Sequence, residues 1–363
     1  MSVEAPFSAA ASRAARLGFL GAGWIGRERM QAVCGAGHAH AVAIADPDPA
    51  ARNAAAKALP GLIPVTGLDE LLAHELDGIV IATPSALHAE QAIAALRQGF
   101  AVFCQKPLAR DADEARRVVD AARAADRRLG IDLSYRWLTA TRSARAAIVA
   151  GELGEVFAVD LTFHNAYGPD KPWFWDRRLA GGGCLIDLGT HLVDLALWLT
   201  GGRTVEVRAA QVLREGRPLD RSAEPDAVED FALAHLVIDS RIAARVACSW
   251  QEPVGADCEI AVTVRGSDAA VQIANVDGSF LDFSAHRLRG RQRELMCDPP
   301  DEWGPRALTA WARALVTDPG YDPAIEGAIT VAAALDATYA LAAAEAAEVP
   351  EAPEAPEAPE GSR

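Results

Sequence analysis

The first third of the chain alternates short unbroken apolar runs with stretches of helical spacing. Strands are expected near 16–20, 40–46, 62–66, 78–83, 101–105 and 129–134, and helices over 24–35, 49–58, 68–74, 86–98, 111–126 and 138–150. A run such as Gly78-Ile-Val-Ile-Ala-Thr83 is apolar on both faces, which suits a parallel strand covered by helices on each side. Six such strand–helix units predict a doubly wound, nucleotide-binding α/β sheet. After Gly151-Glu-Leu-Gly154 the pattern changes to polar–apolar alternation, as in Glu155-Val-Phe-Ala-Val-Asp-Leu-Thr-Phe163. Strands are expected at 155–164, 204–214, 229–237, 242–250, 257–265, 269–275, 279–284 and 291–296, forming a mostly antiparallel sheet with one covered face. A helix over 183–200 interrupts them, and helices over 304–316 and 323–346 follow. The expected organisation is a flexible arm over 1–15, a Rossmann domain over 16–136, an α+β domain over 137–348, and a disordered acidic tail over 349–363. In that tail Glu-Ala-Pro recurs three times, and proline blocks helix.

The first strand runs into Gly21, Gly23 and Gly26 in G-x-G-x-x-G spacing, with Trp24 and Ile25 between them. Gly21 permits a tight turn, Gly23 a close backbone approach to a pyrophosphate, and Gly26 close helix–strand packing. The N-terminus of the following helix offers free N–H groups to phosphates. Asp46 ends the next strand, twenty residues past Gly26. A carboxylate there accepts from ribose hydroxyls and repels a 2′-phosphate, so NAD is expected over NADP. The competing role for Asp46 is an N-cap for the helix beginning near Pro49.

At 363 residues, half of them hydrophobic, the chain is long enough for two cores. Its net charge of −15 argues against nucleic acid or an anionic membrane surface as a partner. The six cysteines show no C-x-x-C spacing, so neither a disulfide framework nor a metal site is expected, and a cytoplasmic setting fits. The N-terminus shows no secretory pattern, and no apolar run is expected to reach the roughly 20 residues of a membrane helix.

Three segments carry candidate chemistry. Phe103-Cys-Gln-Lys-Pro107 lies at the carboxyl end of the fifth strand, where ligands of such sheets bind. Lys106 there is either a hydrogen-bond donor to a reacting oxygen or a surface lysine beside a turn. In the helix led by Gly181-Gly-Gly183, residues Asp187, His191 and Asp194 fall at i, i+4 and i+7. His191 suits a general base oriented by a carboxylate. The alternative is an internally satisfied polar cluster. Thr83 and Pro84 end the fourth strand under the cofactor path, with His88 in the first turn of the next helix.

Taken in order, these segments resemble the glucose-fructose oxidoreductase / inositol dehydrogenase / MocA family from about Arg16 to Glu345. The resemblance rests on the glycine fingerprint, Thr83-Pro84 with His88, Gln105-Lys106-Pro107, Asp187 and His191 behind three glycines, Tyr135-Arg136, Gly151-Glu-Leu-Gly154 and Glu229-Asp230. It implies a Rossmann domain followed by a domain with a large open sheet, pairing into homodimers or homotetramers. It further implies hydride transfer between a nicotinamide and a hydroxyl-bearing carbon of a sugar, inositol or polyol. His191 is then the proton acceptor, with Lys106 and Asp187 positioning the substrate. Gln105 departs from the family's usual glutamate. The expected cofactor set is Gly21, Gly23, Trp24, Ile25, Gly26, Asp46, Thr83, Pro84, His88, Gln105 and Lys106. The expected substrate set adds Tyr135, Arg136, Asn165, Tyr167, Trp173, Trp175 and Arg178 to Lys106, Asp187 and His191. Two rival readings share the scaffold: a redox-neutral glycosidase or epimerase holding its NAD, and a non-catalytic NAD-sensing protein.

Overall fold

The computed structural model describes residues 13–348, so most of the expected arm and all of the expected tail lie outside the described residues. Arg13, within the expected arm, donates two hydrogen bonds to Asp77 at 2.6 and 2.7 Å.

Six strands form the first sheet: β1 (Ala15–Leu20), β2 (Ala39–Ala45), β3 (Ile63–Val65), β4 (Gly78–Ile81), β5 (Ala101–Cys104) and β6 (Leu129–Ile131). They are all parallel, in the order β3-β2-β1-β4-β5-β6. That order reverses between β1 and β4, and the crevice at their carboxyl ends is where this topology takes a ligand. Every residue of β4 and β5 is buried, which is why these strands read as unbroken apolar runs. Helices α1 (Trp24–Gly35), α2 (Pro49–Ala58), α3 (Leu68–Leu72), α4 (Ser85–Arg97) and α5 (Ala112–Ala125) connect them.

After α6 (Thr139–Val149) the chain builds a nine-stranded sheet: β7 (Val156–Asn165), β8 (Val205–Arg214), β9 (Arg217–Pro218), β10 (Phe231–Ile238), β11 (Ile242–Ser249), β12 (Cys258–Gly266), β13 (Ala270–Asn275), β14 (Phe283–Arg289) and β15 (Gln292–Cys297). Its order is β15-β14-β13-β12-β7-β11-β10-β8-β9, and only β7–β11 is parallel. The strand expected at 279–284 begins later, at Phe283. Ser279 Oγ accepts from the N–H groups of Leu281 and Asp282, so this stretch is a turn.

The expected helix over 183–200 is two structures. Leu185–Gly189 is a π-helical turn, and only Thr190–Thr200 is α-helix. A short helix, α7 (Arg177–Ala180), precedes it, so Thr190–Thr200 is α8. Arg306–Thr317 (α9) lies within the span expected for the second domain, yet it packs on β1, β5 and β6 of the first sheet. Trp311 on α9 meets Phe103 of β5 at 5.6 Å between ring centroids. The last helix, α10 (Gly327–Glu348), packs on α5, α8 and β8.

Contrary to the sequence expectation, two helical stretches, Arg177–Thr200 and Pro323–Ala346, are long and apolar enough by length and composition to cross a membrane. The first is mostly buried inside the fold, as a core segment is. In the second, 11 of the 24 residues are alanine.

Candidate active site

A cleft of about 910 Å³ runs from the glycine-rich turn after β1, past the carboxyl ends of β4 and β5, to the π-helical turn beneath the second sheet. The glycines explain its first third. Gly21 has φ +101°, and a Cβ there would sit 2.4 Å from the Ala82 carbonyl oxygen. A Cβ on Gly26 would lie 2.2 Å from the Gly21 oxygen, whereas Gly23 faces open space. Gly26 is thus a packing residue behind the turn and does not line the cleft. Asp46 Oδ2 accepts from the Ala22 N–H at 2.7 Å and Oδ1 from the Asp48 N–H at 2.9 Å. The N-cap of α2 is Asp48, not Asp46.

The next part of the wall is built by residues that hold one another. His88 is buried, and its two ring nitrogens face the Pro107 and Thr83 carbonyl oxygens at 2.7 and 2.8 Å. It ties the two strand-end loops together, and burial pulls its pKa below the ordinary histidine value. Gln105 donates to Asp132 Oδ2 at 2.5 Å, and Arg29 Nε donates to the same oxygen at 2.7 Å. Arg29 also pairs with Glu28. The amide at 105 therefore faces a carboxylate held by β6.

The far end of the cleft brings Lys106, from the loop after β5, to Asp187 and His191, which lie one turn apart. Lys106 Nζ donates to the Asp187 carbonyl oxygen at 2.9 Å and pairs with Asp187 Oδ1. Trp250 Nε1 donates to Asp187 Oδ2 at 3.2 Å. His191, one turn further along, lines the same cleft. Burial first, and then the charge on Lys106, hold its pKa well below the ordinary histidine range. Both effects favour the neutral imidazole.

The π-helical turn is fixed from beneath. Glu229 is fully buried, and its Oε1 accepts from the N–H groups of Gly183 and Leu185 and from the Tyr339 hydroxyl, at 2.9, 3.0 and 2.7 Å. A Cβ on Gly183 would lie 1.9 Å from the Glu229 carbonyl oxygen, which accounts for that glycine. π-Helical turns often mark functional sites because they re-aim side chains within a helix.

The expected substrate set divides. Lys106, Asp187, His191 and Trp173 line the cleft. Tyr135 stands behind His191, edge to face at 4.8 Å, inside an aromatic cluster with Phe163, Phe283 and Trp303. Arg136 is committed to Asp194, its Nε 2.7 Å from Oδ2, so neither enters the cleft. Asn165 ends β7, Tyr167 is exposed, Trp175 packs on Trp250, and Arg178 pairs with Asp176 and Asp226. None of these four lines the cleft. Cleft residues that the sequence reading missed include Arg29, Gln91, Asp132, Ser134, Asp170, Lys171 and Phe174.

Residues 15–133 match the model of an oxidoreductase family with an NAD-binding Rossmann fold, and residues 141–272 match a GFO/IDH/MocA C-terminal domain. A protein of Amycolatopsis mediterranei strain S699, provisionally named UDP-kanosamine synthase oxidoreductase subunit, is 33% identical over 69% of this chain and 73% of its own length. The chain belongs to the GFO/IDH/MocA family of oxidoreductases. An inositol 2-dehydrogenase of Rhizobium meliloti strain 1021 is 32% identical over 59% of this chain, an alignment that spans 63% of that enzyme. Two solved structures share the fold. A 3-ketoreductase from Actinomadura kijaniata with NADP and TDP-benzene gives a TM-score of 0.77 at 22% identity, covering 90% of this chain and 98% of that one. Levoglucosan dehydrogenase with NADH gives 0.76 at 20% identity, covering 92% and 97%. The open space over Gly23, the turn pinned by Asp46 and the cleft volume all fit a nicotinamide dinucleotide in this member of the family.

Proposed function

We propose that this protein is an NAD-dependent dehydrogenase acting on a secondary alcohol or anomeric carbon of an uncharged sugar, inositol or related polyol. The observation that carries the reading is the convergence of Lys106, Asp187 and neutral His191 at the end of a dinucleotide cleft. The cofactor, when bound, supplies the hydride acceptor. His191 takes the hydroxyl proton as the C–H bond breaks. Lys106 donates to the reacting oxygen and stabilises the charge that grows on it. Asp187 keeps Lys106 aimed and balances its charge. Trp173 offers an aromatic face to sugar C–H surfaces.

The charge pattern of the cleft supports a neutral substrate. Its three cations, Arg29, Lys106 and Lys171, are each paired with a carboxylate, of Asp132, Asp187 and Asp170 respectively. A phosphorylated sugar would have to break one of these pairs. Asp46 supports NAD over NADP. Six unpaired cysteines agree with a reducing, cytoplasmic setting. Half-exposed Phe231, Leu233 and Val237 on the outer face of β10 agree with pairing of two or four copies through that sheet. Nothing specific favours the redox-neutral or the sensor reading.

The test is nicotinamide absorbance with NAD or NADP against inositols, aldoses and glycosides. Turnover is expected with NAD and a neutral polyol, and a drop of about 10²–10⁴-fold for His191→Asn. Undiminished turnover in that variant would refute the assignment of the base.

A further inference from the structure

Asp187 has two carboxylate oxygens, and the structure gives each its own donor. Oδ1 takes Lys106 and Oδ2 takes the indole N–H of Trp250 at 3.2 Å. Trp250 is buried and directly follows β11, and its backbone N–H donates to the Asp230 carbonyl oxygen at 2.7 Å. Its position is therefore set by the sheet and independently of the helix that carries Asp187. The outer edges of its ring meet Trp175 at 5.1 Å and Phe174 at 6.3 Å between centroids, both edge to face. Phe174 is stacked at 3.8 Å on Trp173, which lines the cleft.

We infer that Trp250 is a positioning residue: its N–H fixes the rotation of the Asp187 carboxylate so that Oδ1 faces Lys106. The inference rests on reading Asp187 and Lys106 as part of the reacting group. A carboxylate held at one oxygen can pivot about its χ2 bond, because that torsion is soft. A second donor on a rigid sheet removes the pivot, and a hydrogen bond to an ionised group is among the stronger kinds. Trp250 also connects the aromatic turn at 172–175 to the catalytic carboxylate through direct ring contact.

The chain offers an internal assay, because Lys57, Lys106 and Lys171 are its only lysines. The full-length protein is pulse-labelled with trace acetic anhydride, and the three acetylation rates are read by peptide mass spectrometry. Trp250→Phe removes the N–H and keeps an aromatic ring for Trp175 and Phe174. Lys106 is expected to label about threefold faster or more in this variant, the order of one net hydrogen bond, with the Lys57 to Lys171 ratio unchanged. Asp187→Asn leaves the aromatic packing untouched, and is expected by itself to expose Lys106. Adding Trp250→Phe to Asp187→Asn should then change Lys106 labelling no further. The inference is overturned by an unchanged Lys106 rate in Trp250→Phe, by an equal rise at all three lysines, or by a full additional effect in the Asp187→Asn background. The assay needs no substrate, so its outcome is independent of whether any polyol is turned over.

Discussion

Gln105 stands where a glutamate is usual for the family, and the structure predicts what restoring that glutamate would do. The amide nitrogen of Gln105 lies 2.5 Å from Asp132 Oδ2, and the pair is buried. Arg29 is the cation at this site, and it already answers Asp132 and Glu28. Asp132 Oδ1 has no partner at all. Gln105→Glu would replace a donor with a third carboxylate around a single guanidinium. Two carboxylates at hydrogen-bond distance share one proton. Holding that proton at pH 7.5 means raising the apparent pKa of the pair by roughly three units above the ~4.3 of a free glutamate, at about 1.4 kcal/mol per unit. Arg29 offsets part of this, leaving a destabilisation of about 2–4 kcal/mol.

The sign of the pH dependence follows. The introduced glutamate has a folded pKa above its unfolded value, so the native state binds more protons than the unfolded chain once the pH exceeds ~4.3. The penalty is absent below that pH and grows as pH rises. Thermal unfolding of the cofactor-free protein should therefore show Gln105→Glu close to the parent at pH 4.5 and lower by about 3–5 °C at pH 7.5 or above. Adding Asp132→Asn, which turns the facing group into a donor, should recover most of the loss. Equal unfolding temperatures across the pH range, or a gap that does not change with pH, would refute the reasoning.

Three further outcomes are expected. Gly183→Ala puts a Cβ 1.9 Å from the Glu229 carbonyl oxygen; turnover should fall more than about 100-fold through misplaced Asp187, while NADH affinity, measured by fluorescence titration, stays within about twofold of the parent. Because His191 and His88 both have folded pKa values below that of an unfolded histidine, their contribution to stability is fully present above about pH 6.5 and is lost as pH falls toward the folded values. Calorimetry should show this slope, reduced in His191→Gln, and kcat/KM should stay flat from pH 8 to below about 6.5, declining only toward the lower folded value of His191. Asp46→Ser removes the carboxylate that repels a 2′-phosphate, and the NAD-to-NADP ratio of kcat/KM should drop by about tenfold or more.

The sheet strands were readable because burial on both faces imposes a composition, and β4 and β5 are buried at every residue. That Lys106, Asp187 and His191 would share a cleft was readable because each sits in a local context, a strand end or a glycine-led helix. Partners contributed by remote segments have no such signature. Arg29 and Asp132 are 103 positions apart, and neither segment advertises the other. Arg136 was expected at the substrate for the same reason: its true partner, Asp194, is 58 positions away. Trp250 follows a strand like any other core aromatic, and only the fold brings its indole N–H to Asp187.

The loop before the helix shows where local pattern fails outright. Trp173 and Trp175 are two residues apart in a stretch that reads uniformly as aromatic, yet one lines the cleft and the other packs on Trp250. A single 3₁₀ turn at Pro172–Trp175, followed at once by α7, decides which ring faces where. That turn is held by a close approach at Gly168, whose Cβ would lie 2.5 Å from the Trp175 ring, and by the Trp175 N–H on the Pro169 carbonyl oxygen at 3.1 Å. Trp173 at the cleft and Trp250 on Asp187 thus share one aromatic stack. A substitution at Trp175 should disturb both, lowering kcat as well as raising KM, although Trp175 touches neither the cleft nor Asp187. Trp175→Ala with a changed KM and an unchanged kcat would show that the two ends of the stack act independently.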